Sequence, residues 1–166
     1  MKRQTKIWSD APELAMPNNP AFVSDCDNAW IAYETASDEE GVYAVVHFGG
    51  LIDMHLSPIN DEGLGSHPYA ALGIRCYEFN ELFGTAETKR WESLAIRHFA
   101  ITFKDVTIDV LARTACVLAK ELRCGSTNAA LSYAMQYAGR DGGYQSHATE
   151  PAVGSVLKST RLAPAR

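Results

Sequence analysis

From Val42 to Ser57 the chain alternates with a period of two. Val42, Ala44, Val46, Phe48, Gly50, Ile52, Met54 and Leu56 are small or apolar, while Tyr43, His47, Asp53, His55 and Ser57 fall in the other phase. That is the pattern of a β-strand with one face on a core. Gly49-Gly50 looks like a two-residue hairpin turn, but a turn there would set Val46 opposite Asp53. The alternation instead runs through the glycines. The sequence therefore predicts one long strand over 42–57, bent or bulged at Gly49-Gly50.

The segment 98–112 behaves differently. Phe99, Ile101 and Phe103 are odd; Val106, Ile108 and Val110 are even. A tight turn at Lys104-Asp105 pairs 103 with 106, 101 with 108 and 99 with 110, bringing all six to one face. A hairpin over 98–112 is the prediction. Residues 29–35 read as a strand, and Ser37–Gly41 as a turn joining it to the long strand. Residues 72–83 fit helix or strand, with strand the better match. Residues 87–94 read as a short helix carrying Trp91. Residues 113–122 extend the hairpin strand or turn into helix. Residues 127–138 read as a helix, with Ser126 or Thr127 as N-cap and Gly139 as terminator.

These elements add up to an α+β, mainly β fold: a mostly antiparallel sheet, one face covered by the C-terminal helix and an N-terminal arm. The arm, 1–27, is rich in Pro and Asn, with Trp8 and Phe22 as its expected anchors. The single domain covers 28–139, and 140–166, poor in apolar residues, reads as a flexible tail.

Composition narrows the classes. The chain has 166 residues, 46% of them apolar and 21% charged, ordinary values for one globular domain. It holds no apolar run long enough to span a bilayer and no signal-peptide pattern, so a cytoplasmic location and no membrane partner are expected. The net charge is −5. Residues 8–139 hold eight basic against eighteen acidic groups, a balance of −10. Such a body repels phosphate backbones, which argues against nucleic acid and suits a basic protein partner. Cys26, Cys76, Cys116 and Cys124 form no C-x-x-C pair, so zinc is not expected. Cys76 and Cys116 lie in apolar segments, where a thiol packs as a small hydrophobe. There is no G-x-G-x-x-G, no Walker A loop and no G-x-S-x-G elbow, so no cofactor is assigned.

The densest chemistry lies in Ser57–Tyr69. Asn60, Asp61, Glu62 and His67 sit among two glycines and two prolines. One reading makes Asp61 or Glu62 and His67 a catalytic acid–base couple or a ligand grip. The other gives Asn60 and Asp61 the work of tying down the loop backbone, with His67, held extended by Pro68, packed beneath it. Asp53 and His55 share a strand face about 6–7 Å apart and join the candidate binding set. A metal there would need a third ligand from His67, Glu62 or His98, and no spacing fixes one, so no metal is assigned.

Asn60-Asp61-Glu62 with Leu64 and His67-Pro68, followed by His98–Thr107, resembles the N-D-E-x-L-x-x-H-P loop and aromatic strand of a family of small bacterial proteins without an assigned activity. The resemblance covers roughly 57–112. It departs at Ala70-Ala71, and the C-terminal third has no counterpart. It implies a bacterial, cytoplasmic origin and no activity. The leading functional expectation is a non-enzymatic binding protein, immunity-like or accessory, that recognises a partner through an acidic surface. The alternatives are a small hydrolase or lyase using His67 with Asp61 or Glu62, and a small-molecule sensor.

Overall fold

The computed structural model describes residues 5–16 and 19–138. Seven strands form one sheet: β1 (Thr5–Ile7), β2 (Ala21–Ser24), β3 (Asn28–Glu34), β4 (Val42–Ser57), β5 (Phe79–Leu82), β6 (Arg97–Thr102) and β7 (Thr107–Arg123). Their order across the sheet is β1-β5-β6-β7-β4-β3-β2, and every pairing is antiparallel. Two helices complete the fold, α1 (Ala86–Arg90) and α2 (Thr127–Ala138). The α+β, mainly β expectation holds. No described helix is long and apolar enough to cross a membrane.

The sheet is strongly curled. Tyr33 on β3 and Phe79 on β5 have ring centroids 5.2 Å apart, although β4, β7 and β6 lie between their strands in the sheet. The N-terminal segment bridges these margins. β1 pairs with β5, the Trp8 amide donates to the Phe79 carbonyl at 2.9 Å, and Leu14 bridges to Thr35 beside β3. Between these ties the Trp8 ring plugs the inner face against Phe48, Phe79 and Phe99. The segment was expected to lie with the helix on one face. Instead Trp8 fills the inner face, while α2 packs Ala130, Leu131 and Ala134 on the outer face over Ala32, Tyr43 and Val45. The other expected anchor, Phe22, is 41% exposed: β2 is an edge strand, and it is Ala21 and Val23, on the face opposite Phe22, that pack against the α2 cluster.

The hairpin forms as its phase demands. Ile101 pairs with Ile108 and Phe99 with Val110, and the Phe103 amide donates to the Val106 carbonyl at 2.9 Å. Its second strand does not stop at Ala112. β7 continues to Arg123 alongside the whole of β4, which settles 113–122 as strand. Within 72–83 only Phe79–Leu82 is strand, preceded by a 3-10 turn at Ala70–Leu72. The predicted helix over 87–94 is α1, followed by a 3-10 turn at Glu92–Leu94. Helix α2 begins where the sequence placed it: the Ser126 hydroxyl accepts from the Ala129 amide at 3.2 Å. Gly139 and 140–166 lie outside the described residues.

β4 is one strand, as expected, but its register slips just past the glycines rather than at them. Gly50 has φ +64°, and the pairing with β7 slips between Leu51 and Asp53. The slip breaks the strict alternation. Val46 and Phe48 fill the inner core, but beyond the glycines Leu51, an odd position, packs there too, and Ile52 is 37% exposed. An added residue in one strand shifts side chains between faces in this way.

Candidate functional site

The Asn60–Leu72 loop follows β4 and crosses the outer face near β6 and β7. Turn chemistry shapes its first half. The Asn60 Oδ1 accepts from the Gly63 amide at 2.8 Å, and the Asp61 Oδ1 accepts from the Glu62 amide at 2.9 Å. Gly63 is required there: a Cβ would sit 2.9 Å from the Asn60 Oδ1. The second Asp61 oxygen accepts from the Tyr77 hydroxyl at 2.6 Å. That bond holds the Asp61 carboxyl below its ordinary value and pushes the Tyr77 phenol up to about 12. Tyr77 itself has φ 55°, a left-handed backbone unusual for a tyrosine. Glu62 is exposed.

His67 is extended before Pro68, with φ −61° and ψ 137°, and only 4% exposed. Its carboxylate partner is neither Asp61 nor Glu62. The His67 Nε2 lies 3.0 Å from the Asp109 Oδ2 on β7, while its Nδ1 accepts from the Tyr69 amide at 3.1 Å. An amide N–H can only donate, so Nδ1 carries the lone pair and Nε2 the proton. His67 thus donates to Asp109, and both ring nitrogens are engaged.

Asp109 has a second histidine. The His98 Nε2 on β6 lies 3.2 Å from the Asp109 Oδ1, and the His98 Nδ1 is 3.1 Å from the Thr85 hydroxyl. Thr85 also caps α1 by accepting from the Thr88 amide at 3.1 Å. The Tyr69 ring stands edge-on to His98, with centroids 5.2 Å apart, and its hydroxyl donates to Glu87 on α1. Burial and the Glu87 carboxylate push the Tyr69 phenol up to about 12. Burial raises the Asp109 carboxyl, but the hydrogen bonds from the two imidazoles and their electrostatic attraction outweigh it, leaving the group below its ordinary value. One carboxylate therefore ties the loop, β6, β7 and α1 together.

The other candidates stay apart from this knot in bonding. His55 is the β4 partner of Asp109 in register, yet it and Asp53 are exposed and engage no other described side chain. A hydrogen bond between Asp53 and His55 is absent among the described residues. So is any group of three His, Cys, Asp or Glu side chains placed to hold a metal. Cys76, expected in an apolar setting, is exposed. It precedes β5 in the 73–78 connection, which the buried Asn80 holds from beneath. That amide donates to the Arg75, Glu78 and Ala100 carbonyls and accepts from the Arg75 amide.

Sequence reasoning missed Asp109, Thr85, Tyr69 and Glu87. Asp109 had one available signal. It is a lone charge between Ile108 and Val110 in a strand, where an acid is out of place unless paired. Comparison with protein-family models, curated proteins and solved structures found no match.

Proposed function

We propose that this chain is a non-enzymatic binding protein that holds a basic partner protein, in the manner of an immunity or accessory protein. The acidic end around the Asn60–His67 loop would be its recognition surface. One observation carries the reading: both ring nitrogens of His67 are engaged, one by the Tyr69 amide and one by Asp109. A general base needs a free nitrogen facing its substrate. Here the histidine pins the loop, the loop presents the exposed Glu62 beside a charged Asp61, and the turn between β6 and β7 adds the exposed Asp105. A pinned loop loses little entropy on docking, and like-signed charges steer a partner of opposite sign. The −10 balance over 8–139 adds to that field. A bacterial, cytoplasmic setting belongs to the same proposal.

The hydrolase or lyase alternative, with His67 as acid or base, would require the Tyr69 amide to release Nδ1. The sensor alternative would require a cavity on the odd face of β4, but there Tyr43 and Val45 are buried beneath α2. The test is affinity capture at low ionic strength by the wild-type protein and by a Glu62→Lys, Asp105→Lys variant. Capture of a basic protein that fades as salt rises past about 0.15 M, and is lost in the variant, supports the proposal. Capture that ignores salt and charge reversal, or no basic protein retained at all, overturns it.

A further inference from the structure

A second polar chain lies on the outer face, near the glycine-bend end of β4, and the loop does not touch it. It starts at Asp25 in the β2–β3 hairpin. The Asp25 carboxylate accepts from the Asp27 amide at 2.8 Å and the Asn28 amide at 2.7 Å. Those backbone bonds hold it below its ordinary value, so it is ionised at neutral pH. The Asn28 Nδ2 donates to the two Asp25 oxygens at 3.2 and 3.4 Å. A carboxylate can only accept, which fixes the orientation of the amide and turns Oδ1 toward β4. That oxygen is 2.8 Å from the His47 Nε2. An amide oxygen also only accepts, so Nε2 carries the ring proton and Nδ1 the lone pair. The His47 Nδ1 is 3.8 Å from the Cys116 Sγ.

Strand register makes this neighbourhood. His47 pairs directly with Cys116 on β7 and with Trp30 on β3. The Trp30 ring leans on the imidazole, with centroids 5.2 Å apart and planes at 34°. On the other side is Gly49, where a Cβ would fall 3.3 Å from the His47 Cε1 and 2.8 Å from the Thr114 Oγ1. The missing side chain leaves room for the ring. His47 and Cys116 are half-buried, and Thr114 beside them is exposed, so the pair is within reach of a small molecule.

We infer that Cys116 is a nucleophilic thiol with His47 as its base and Asn28 as a positioning residue, and that its substrate class is a small acyl donor, an ester or thioester. Nucleophile, base and orienting amide are recognised by geometry and role, whatever their order in sequence. Burial raises the thiol and lowers the imidazole, so the resting pair is neutral, S–H facing an unprotonated nitrogen. As Sγ bonds to the acyl carbon, the thiol proton passes to the His47 Nδ1. The alkoxide or thiolate leaves with that proton, and the acyl group remains on Cys116. Water activated by the same nitrogen then releases the acid and restores the thiol. Among the described residues no such base faces the other three cysteines: Cys26 and Cys76 are exposed, and the Cys124 thiol donates to the Ser126 carbonyl.

The experiment uses the full chain with Cys26, Cys76 and Cys124 replaced by serine, and p-nitrophenyl acetate as the probe. One equivalent of p-nitrophenolate should appear in a burst, with the acetyl group found on the Cys116 peptide. His47→Gln, which keeps the volume and removes the base, should slow the burst about a hundredfold. Asn28→Ala should slow it less, and Asn28→Asp, which keeps an acceptor, should recover part of the loss. The same protein unfolded in urea supplies the rate of an unassisted thiol and keeps the test decisive if His47→Gln does not fold. Acylation no faster in the folded than in the unfolded chain, or a burst unchanged by His47→Gln, overturns the inference.

Discussion

Asp109 accepts from two imidazoles, and the two are not equivalent. Replacing it by alanine leaves the His67 and His98 Nε2–H groups buried without an acceptor. Each loses a hydrogen bond to a charged group, and each stranded donor costs about 1–3 kcal/mol. Relief of the carboxylate's own desolvation offsets part of this, since its side chain is only 19% exposed. Asp109→Ala should therefore destabilise by about 2–4 kcal/mol. Asparagine offers one acceptor and one donor. His67 cannot change tautomer, because the Tyr69 amide occupies its Nδ1. His98 can. Its Nδ1 faces the Thr85 hydroxyl, which can accept a proton as well as donate one and has the Thr88 hydroxyl 3.2 Å away to donate to instead. With the proton moved to Nδ1, the His98 Nε2 accepts from the new amide, and nothing is stranded. Asp109→Asn should thus cost only about 1 kcal/mol. Urea denaturation at pH 7, read at constant m-value, separates the two. Equal losses for Ala and Asn would refute the tautomer argument. A loss under about 0.5 kcal/mol for Ala would refute the knot itself.

The folded Asp109 carboxyl lies below 3.8, so the unfolded chain takes up its proton first on acidification; Asp109's contribution is full above that value and fades as pH falls through the lower folded one, so the wild-type advantage over Asp109→Asn should shrink only in strong acid, as midpoints measured between pH 2 and 7 will show. Trp8→Ala empties the inner face between Phe48, Phe79 and Phe99 and should cost about 3–5 kcal/mol in the same denaturation assay. Phe22→Ser, on the exposed edge strand, should stay within about 0.5 kcal/mol. Gly50→Ala places a Cβ 2.8 Å from the Arg113 Cβ at φ +64°, and a thermal midpoint lowered by at least 1 kcal/mol equivalent, about 1–2 in all, is expected.

The parts of the fold legible in sequence are those where one physical signal dominates. The 99–110 hairpin follows from phase alone, because only one register brings six apolar side chains to one face. Ser126 and the 127–138 pattern mark α2 by capping and period. The curl of the sheet has no such local signal. It arises where Trp8, Tyr33 and Phe79, residues far apart in sequence, meet across the inner face, and no periodicity within a strand reports that meeting. The division of labour between faces was likewise hidden. An arm and a helix can cover the same face or opposite ones, and their sequences read alike. The phase of β4 failed only at Leu51 and Ile52, with Met54 back against the inner core: a bulge moves side chains between faces, and glycine pairs mark where a bulge can occur without saying which residue it displaces.

The candidate site shows the same split between local and distant causes. Asn60, Asp61 and the extended His67 were readable, since their bonds go to amides one to three residues away or to the constraint of the next proline. The partner of His67 was not readable, since Asp109 is forty-two positions distant and reaches it only because β7 runs under the loop. The adjacency of Asp61, Glu62 and His67 suggested a couple, but short spacing in a turn favours bonds to the backbone over bonds between side chains. Long strands reverse that preference. Between β4 and β7 most residues have a fixed opposite, and a polar residue at such a position meets a definite side chain on the other strand. His47 opposite Cys116 and His55 opposite Asp109 belong to two registers one residue apart. The slip between Leu51 and Asp53, just past the glycines, sets one pairing relative to the other, and Gly49, whose missing side chain leaves room for the His47 ring, positions chemistry it does not itself carry.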